Sequence, residues 1–504
     1  MSVKSYEASS LEVATKASIS DSSSFPTSST DDLIERGSWS RPIEFILSCL
    51  NYAVGLGNVW RFPHLAFRNG GGAFLVPYLL MVFIIGLPIF FAELFVGQYS
   101  GLGPIKAYSN ISPLFTDCYS TLEDIQCQIN NVGNAADEIF YRGRCQTSEV
   151  LCASRGLTGV DARLCLNVTA ALKVPMTLLI RALTLEGSID GILFYLTPQW
   201  ERLLSPGVWG DASSQIFYSF GLACGSLVTF ASYNKFKNNC HFDAVFVSLT
   251  NFGTAVFAGF VVFAILGFLS NKMGVPIESV VTSGPGLTFI TYPEAVLLMP
   301  LPQLWAILFF FMMLILGLGS MFGGIQMITT SIIDHWPHLR KHEMRVTAGT
   351  CVACFIAALP MTCNGGVYLF TLMDWHTASW AILLLGFAEI VVLSWVYGFS
   401  KTFDNLYEMG MKLKTNQFVM FYWKAVWMGL TPIGSVAIFI FVLTDLGSTE
   451  FRSYVFPIWA DLIGWGLGLS TLLPFVIFTA IKLVDKKKDY KELLQPTGNW
   501  GPQE

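Results

Sequence analysis

Long apolar runs recur along most of the chain, separated by short polar stretches. A membrane-spanning helix needs about 20 consecutive apolar residues, and this criterion predicts helices at 43–63, 73–99, 212–231, 243–270, 301–333, 346–363, 367–399, 417–444 and 456–482. A weaker tenth run covers 168–187, where Lys173, Pro175 and Arg181 interrupt the apolar pattern. The pattern therefore predicts an all-α polytopic membrane protein with about ten spans.

Both ends of the chain are polar. Residues 1–38 are rich in Ser, Thr, Asp and Glu and contain no apolar run, which predicts a disordered cytosolic tail. At the other end, Lys486, Lys487 and Lys488 follow the last apolar run, and basic residues accumulate on the cytosolic side of membrane proteins. We therefore expect 486–504 to be a cytosolic tail. With both termini inside, the number of spans is even, which favours the tenth helix.

Composition agrees with a membrane protein and excludes other classes. Hydrophobic residues make up 53% of the chain and charged residues only 13%, against roughly a quarter charged in soluble domains. Mean hydropathy is +0.54. The net charge of -5 gives no case for nucleic-acid binding, and the 11 cysteines are not spaced as metal ligands.

The first apolar run is interrupted in its middle by NYAVGLGNVWRFP, which contains Gly55, Gly57, Asn58 and Arg61. Unwound backbone in a membrane survives only inside the protein or beside an aqueous cavity. There, freed carbonyl groups can coordinate a cation, and the N-terminus of the next half-helix can hold a carboxylate. The glycines alone are equally compatible with close helix packing. The polar and charged residues beside them favour a functional site, because such groups are costly in a membrane.

A second interruption lies within 210–236, around Ser219, Gly221 and Gly225. Two broken helices in corresponding halves of a bundle indicate the midplane binding site of a transporter. The two interruptions therefore predict a single site built from both of them.

Long motifs surround these interruptions: SWSRPIEFILS, NYAVGLGNVWRFPHLAFRNGGGAFLVPY, LPIFFAELFVGQYS, GILFYLTPQW, VWGDASSQIFYS, ASYNKFKNNC, SGPGLTFITYPEA and CNGGVYLF. Over about 36–116 and 166–485, the chain resembles the sodium- and chloride-dependent neurotransmitter and amino-acid symporters. The resemblance implies an inverted-repeat bundle in the plasma membrane, with helices 1 and 6 broken and residues 51–58 unwound. It also implies alternating access driven by the sodium gradient, without enzymatic chemistry.

The resemblance implies two sodium sites built from neutral oxygen ligands, which suit hard cations. The first consists of the Ala53 carbonyl and the side chains of Asn58, Ser219 and Asn251. The second consists of the carbonyls of Asn51, Val54 and Leu316 and the hydroxyl of Ser320. The family often has Asp or Thr at the position of Gly319, so we expect the second site to have one ligand fewer and to be weaker.

The resemblance also implies chloride and substrate sites. Chloride is expected among Tyr78, Gln215 and Ser219, with Ala255 standing where a fourth hydroxyl is expected. Monoamine carriers place an Asp at the position of Gly55, so the glycine indicates a substrate that brings its own carboxylate. We expect glycine, proline, alanine or betaine, held among Ala53, Gly55, Gly57, Tyr218, Phe220, Gly221 and Cys224.

Gates are implied at both ends of the pathway. On the outer side, Arg61 is expected to pair with Asp374 over the ring of Tyr218. On the inner side, the residues that match the family's latch are Arg36, Trp39, Tyr233 and Asp334. Each of these residues is also compatible with an ordinary interfacial charge or aromatic anchor, except Arg61, whose position directly after the unwound segment favours a gating role.

One segment departs from the family. Residues 39–116 supply its first two membrane helices and 166–485 the later ones, but 117–165 form a polar insert with cysteines and no apolar run of spanning length. The family has twelve spans, so its third and fourth helices are missing. Two hypotheses follow: a sodium-coupled symporter of a small amino acid, or a non-transporting splice or gene-model variant. The second would act as a regulatory or dominant-negative subunit in homo- or hetero-oligomers with full-length relatives.

Overall fold

The structure is a computed structural model, and it describes residues 38–115, 176–277, 292–297, 301–363, 365–445, 450–451, 454–484, 494–498 and 500–502. The insert at 117–165 and nearly all of the predicted N-terminal tail lie outside these residues.

The described residues are mostly helical. In chain order the helices are α1 (Pro42–Ala53), α2 (Gly57–Arg68), α3 (Gly71–Ser100), α4 (Pro104–Ile111), α5 (176–183), α6 (Ser188–Leu196), α7 (Pro206–Phe220), α8 (Ser226–Ala231), α9 (Cys240–Met273), α10 (Tyr292–Leu297), α11 (Pro302–His335), α12 (Pro337–Thr362), α13 (Gly366–His376), α14 (Ile382–Glu408), α15 (Gln417–Thr444) and α16 (Ile458–Val484). Short 3-10 turns lie at Pro113–Phe115, Trp200–Leu204 and Leu413–Thr415. A minimal antiparallel hairpin joins β1 (Glu450–Phe451) to β2 (Tyr454–Val455).

Six helices of the described part are long and apolar enough to cross a membrane: α3, α9, α11, α12, α14 and α15. The α1–α2 pair passes the same criterion as one bent span. This result confirms the prediction of an all-helical polytopic membrane protein. Helices occupy all nine of the strong apolar runs, but the runs at 43–63, 212–231 and 367–399 are divided between two helices each.

The tenth predicted helix, at 168–187, is wrong in its C-terminal boundary. Residues 168–175 lie outside the described part, and α5 ends at residue 183. The hydroxyl of Thr184 donates to the Arg181 carbonyl at 2.7 Å, and Gly187 adopts a left-handed conformation with φ of 84°. A local turn therefore ends α5 four residues before the predicted boundary, and α6 begins directly after it.

The first broken helix is interrupted over fewer residues than predicted. α1 continues through Ala53, and α2 begins at Gly57, so only part of 51–58 is unwound. The Gly55 N–H donates to the Ala53 carbonyl at 3.1 Å, although a continued helix would direct it to Asn51. This change of partner ends α1, and the two half-helices meet at 45°.

The second broken helix is interrupted between Phe220 and Ser226. Three residues in this interval are left-handed: Gly221 (φ 60°), Ala223 (φ 57°) and Gly225 (φ 74°). The Ala223 N–H donates to Oε1 of Glu93 at 2.7 Å. Glu93 is fully buried in α3, so a side chain from the centre of the bundle satisfies the unwound backbone.

Burial differs strongly between the helices. α3 lies at the centre, with 78% of its most apolar window buried, whereas the corresponding value for α12 is 6%. α6 packs closely on α9, because a Cβ on Gly191 would overlap the Phe263 carbonyl. Small residues at such crossings are typical of membrane helices.

The described part of the C-terminal tail packs on the bundle. The Thr497 N–H donates to the Asn110 carbonyl at 2.9 Å. The Trp500 ring lies 5.3 Å from Tyr99 of α3 and 5.6 Å from Tyr397 of α14. The end of the predicted tail therefore contributes to the packing of the helical bundle.

Candidate ion and substrate site

Asn58, Ser219 and Asn251 form a closed ring of hydrogen bonds between α2, α7 and α9. Ser219 Oγ donates to Asn58 Oδ1 at 2.6 Å, Asn58 Nδ2 donates to Asn251 Oδ1 at 2.7 Å, and Asn251 Nδ2 donates to Ser219 Oγ at 2.8 Å. All three side chains are buried. The structure thus brings together the three side chains predicted for the first sodium site.

The Ala53 carbonyl is expected to complete this set, and Ala53 is itself buried at the end of α1. Two amide oxygens, one hydroxyl and one carbonyl make a donor set that suits a hard cation. Among the described residues, no group of three or more His, Cys, Asp or Glu side chains could hold a metal. The chemistry of the ring therefore fits sodium better than a transition metal.

Thr254 adjoins the ring and was not predicted. Its hydroxyl accepts from Asn58 Nδ2 at 3.0 Å and donates to the Asn251 carbonyl at 2.8 Å. The signal available in the sequence was its position one turn after Asn251 on the same helix. Thr254 fixes the orientation of the Asn58 amide, whose oxygen then points to Ser219.

The predicted second sodium site lies where the end of α1 meets the middle of α11. Ser320 Oγ donates to the Tyr52 carbonyl at 3.2 Å, and Leu316 is buried one turn earlier. The carbonyl of Asn51 lies against Gly319, because a Cβ there would be 2.6 Å from that oxygen. Residues of α1 and of α11 that were predicted for this site therefore meet where the two helices cross.

The predicted chloride site contains a buried donor without a protein acceptor. The Tyr78 hydroxyl is buried and has no hydrogen-bond partner among the described residues. Gln215 Nε2 donates to the Gly57 carbonyl at 3.1 Å, and Ser219 belongs to the sodium ring. Ala255 is fully buried and supplies no hydroxyl. An unpaired buried hydroxyl is costly, so Tyr78 fits an anion that accepts its proton.

Gly55 and Gly57 are packed tightly against the neighbouring elements. A Cβ on Gly55 would lie 2.6 Å from Ser320 Oγ, and one on Gly57 would lie 2.8 Å from the Tyr218 ring. Cys224 is exposed in the second break. Phe220 is fully buried and packs at 5.7 Å from Phe90 of α3. The Phe220 side chain therefore packs against α3 and supports the backbone of the second break.

Tyr52 links the two broken helices and was also not predicted. Its hydroxyl donates to the Gly221 carbonyl at 3.2 Å, and its ring packs at 5.8 Å from Phe230 of α8. The side chain bridges the end of α1 and the unwound residues after α7. Its neighbours in space are distant in sequence, so no local pattern indicated this role.

The predicted outer gate is only partly assembled. The guanidinium of Arg61 lies 4.6 Å from the Tyr218 ring centroid and donates to Ser214 Oγ at 2.9 Å. Its Nη1 has no hydrogen-bond partner in the described part of the chain. Arg61 and Asp374 are both described, and they do not form an ion pair. In this structure the Arg61 guanidinium therefore stacks on the Tyr218 ring and does not pair with Asp374.

The predicted inner latch is partly described, because Arg36 lies outside the described residues. Trp39 Nε1 donates to the Phe230 carbonyl at 2.9 Å, and the Trp39 N–H donates to the Tyr233 carbonyl at 2.9 Å. Asp334 accepts from the Gly103 N–H at 2.8 Å and pairs with Arg340 at 3.6 Å. These contacts connect the start of α1 to the end of α8, and α11 to the start of α4.

Comparison with known proteins identifies the family. The profile of the sodium:neurotransmitter symporter family matches residues 36–130 and 120–486. The chain belongs to the sodium:neurotransmitter symporter family. It is therefore a member of a family of transporters and not of enzymes.

Individual relatives resemble this chain over most of their length. The sodium- and chloride-dependent glycine transporter 1 of Xenopus laevis is 33% identical over 571 residues, covering 94% of this chain and 89% of the relative. The sodium- and chloride-dependent creatine transporter 1 is 35% identical in Bos taurus and in Homo sapiens, covering 87% of this chain and 82% of each relative. The 571-residue alignment is longer than the chain, so that relative contains residues without a counterpart here.

Proposed function

We propose that this protein is a plasma-membrane symporter that couples the entry of sodium, assisted by chloride, to the uptake of a small neutral amino acid. Glycine is the first candidate, and proline, alanine, betaine and creatine are the alternatives. Both termini are cytosolic in this proposal. The relatives from Xenopus and Bos taurus are described as sodium- and chloride-dependent transporters, which supports the same ion requirement here.

The ring of Asn58, Ser219 and Asn251 carries the proposal. It joins one side chain from each broken helix to a third on α9. Sodium bound among these oxygens would tie α2 and α7 to α9 and so favour one arrangement of the bundle. Because a ligand shifts an equilibrium only by its differential affinity for two states, this connection makes the ion gradient usable for transport.

The substrate class follows from Gly55. An acidic side chain at that position would pair with an amine, but a Cβ there would already lie 2.6 Å from Ser320 Oγ. The N-terminus of α2 instead offers the positive end of a helix dipole, which favours a carboxylate. Glycine and creatine, named in the descriptions of the relatives, both carry a carboxylate. A small zwitterion therefore fits the site better than a monoamine.

Alternating access would use the gates already partly present. Arg61 lies over Tyr218, and closing α13 towards α2 would bring Asp374 to the unpaired side of the guanidinium. That pair would exclude water from the outer side. On the inner side, separating Trp39 from the α8 carbonyls that it contacts would open a route to the cytosol.

A second function is favoured by one observation. The family profile matches in two stretches that meet at residues 120–130, within the polar insert, and α12 is largely exposed. Loss of the third and fourth family helices at this place would remove neighbours of the remaining bundle. In that case the chain is a non-transporting scaffold that associates with full-length relatives and regulates them.

Uptake into cells that express this chain separates the two functions. Radiolabelled glycine, proline, alanine, betaine and creatine are supplied with sodium, with choline replacing sodium, or with gluconate replacing chloride. Surface labelling confirms delivery, and Asn58→Ala tests the site, with Asn271→Ala as the matched control because Asn271 is exposed at the end of α9.

Sodium-dependent uptake that Asn58→Ala abolishes and Asn271→Ala preserves supports the symporter. Surface-delivered protein without uptake of any of the five substrates contradicts it. Reduced uptake by a co-expressed full-length relative then supports the regulatory function.

A further inference from the structure

The side chain of Asn51 occupies the space beside Gly319. A Cβ added to Gly319 would lie 2.5 Å from Oδ1 of Asn51 and 2.6 Å from its backbone oxygen. Any side chain at position 319 would project into the volume that the Asn51 amide now fills. Gly319 of α11 lacks the side-chain oxygen that the family often has at this position, and Oδ1 of Asn51 from α1 lies beside the same position.

Other free oxygens surround this position. The Gly55 N–H donates to Ala53, so the Asn51 carbonyl lacks the helical donor that a continued α1 would provide. Ser320 Oγ approaches the same helix end and donates to the Tyr52 carbonyl at 3.2 Å. The Asn51 amide oxygen and the Asn51 carbonyl therefore lie against the same position of α11, next in sequence to the hydroxyl of Ser320.

Asn51 is only 6% exposed, and its amide oxygen faces the Gly319 position of α11. Burying an amide is costly unless its oxygen and nitrogen find partners. Packing alone would be served better by an apolar residue of the same shape, such as Leu. An amide at this position is therefore best explained by something that binds its oxygen.

We propose that Oδ1 of Asn51 is a ligand of the second sodium ion and replaces the side-chain ligand that Gly319 lacks. The inference rests on the proposed function, because it assumes that sodium binds at the crossing of α1 and α11. The second site then has side-chain oxygens from Asn51 and Ser320 and no carboxylate. It binds sodium without the local negative charge that an Asp at position 319 would add.

Sodium-dependent thermal stability tests this inference without any transport. The purified full chain in detergent is heated in sodium chloride or choline chloride, and the sodium concentration that gives half of the maximal stabilisation is recorded. Asn51→Leu keeps the shape and removes the oxygen, whereas Asn51→Asp keeps the shape and the oxygen. Asn271→Leu is the matched control, and the melting temperature in choline reports whether each variant is folded.

We expect Asn51→Leu to raise the half-maximal sodium concentration about tenfold, which corresponds to about 1.4 kcal/mol. Asn51→Asp is expected to leave it unchanged or to lower it, because a carboxylate oxygen attracts the cation more strongly. Equal values for wild type and folded Asn51→Leu would overturn the inference. If Asn51→Leu does not fold, a half-maximal sodium concentration that is higher in Asn51→Asp than in wild type would overturn the inference. A wild-type protein that sodium does not stabilise would also overturn it.

Failure of the inference and failure of the proposed function give different results. A sodium titration that Asn51→Leu shifts, in a chain that transports nothing, supports the ligand and rejects the symporter. Sodium-driven uptake by wild type with an unshifted Asn51→Leu titration supports the symporter and rejects the ligand.

Discussion

The hydroxyl of Ser219 donates to Oδ1 of Asn58 at 2.6 Å, across the gap between the two broken helices. The two residues are 161 positions apart in the chain, and Asn251 closes the ring between them. The interruptions in the two helices therefore meet in one place, and the side chains that meet there are uncharged amides and a hydroxyl.

The ring predicts the effect of removing its amides. Asn251→Ala removes one oxygen ligand from the first sodium site and leaves the Asn58 amide with Thr254 as its remaining side-chain acceptor. We expect the sodium concentration for half-maximal uptake to rise about tenfold, which corresponds to about 1.4 kcal/mol. Asn271→Ala, on the same helix, should leave it unchanged. Equal sodium dependence in both variants would show that the ring does not bind the ion.

The fourth chloride position predicts a gain of function. Ala255 is fully buried and stands at the fourth position expected for the chloride site, which also contains the Tyr78 hydroxyl, so Ala255→Ser adds a donor there. We expect the chloride concentration for half-maximal uptake to fall several-fold, whereas Tyr78→Phe should raise it. Uptake measured with gluconate replacing chloride gives both values. A chloride dependence that neither substitution changes would place the anion elsewhere.

The packing of Gly55 predicts intolerance to any side chain. In Gly55→Ala the new Cβ would overlap Ser320 Oγ, and in Gly55→Asp the carboxylate would also repel that of the substrate. We expect glycine uptake to be strongly reduced by the first change and abolished by the second. Gly317→Ala is the control, because its Cβ would lie 3.7 Å from Leu56, an ordinary contact. Retention of uptake by Gly55→Asp would contradict the substrate class.

Cys224 predicts a chemical probe of the substrate site. It is exposed, whereas Cys49 and Cys240 are buried. We expect a water-soluble methanethiosulfonate reagent to modify Cys224 and to inhibit uptake, with sodium and glycine together slowing the reaction. Peptide mass spectrometry measures the modification, and Cys224→Ser is expected to resist inhibition. Inhibition that persists in Cys224→Ser would assign the effect to another thiol.

The left-handed backbone at Ala223 predicts an unusual response to glycine. Its φ of 57° costs an alanine about 1–2 kcal/mol, so Ala223→Gly should raise the melting temperature of the purified chain or leave it unchanged. Ala348→Gly, at an exposed helical position of α12, should lower stability by about 1 kcal/mol. Equal losses for the two variants would show that Ala223 is not strained.

Much of the fold was predictable because membrane helices need long apolar runs. The residues of the ring were predictable from the resemblance to the symporter family, and Asn58 was also indicated as a polar side chain within an apolar run. The ends of the helices were less predictable. The end of α1 depends on the Gly55 N–H turning to Ala53, and the separation of α5 from α6 depends on a left-handed Gly187. Both depend on three-dimensional context that an apolar run does not encode.

Several contacts of the site were not predictable for a related reason. Tyr52 reaches Gly221, and Glu93 reaches Ala223, across more than a hundred residues of sequence. Thr254 was near enough to Asn251 to be inferred from helical spacing, but its role depends on the rotamer of Asn58. The pairing of Arg61 with Tyr218 in place of Asp374 depends on the relative positions of α2, α7 and α13.

The central claim is that this chain by itself couples sodium entry to uptake. The most direct measurement is glycine uptake by proteoliposomes that contain only the purified chain, with an inward sodium gradient and chloride present. We expect accumulation above equilibrium that disappears when the gradient is dissipated and in Asn58→Ala. Folded, reconstituted protein that sodium stabilises but that accumulates neither glycine nor the other four substrates would contradict it.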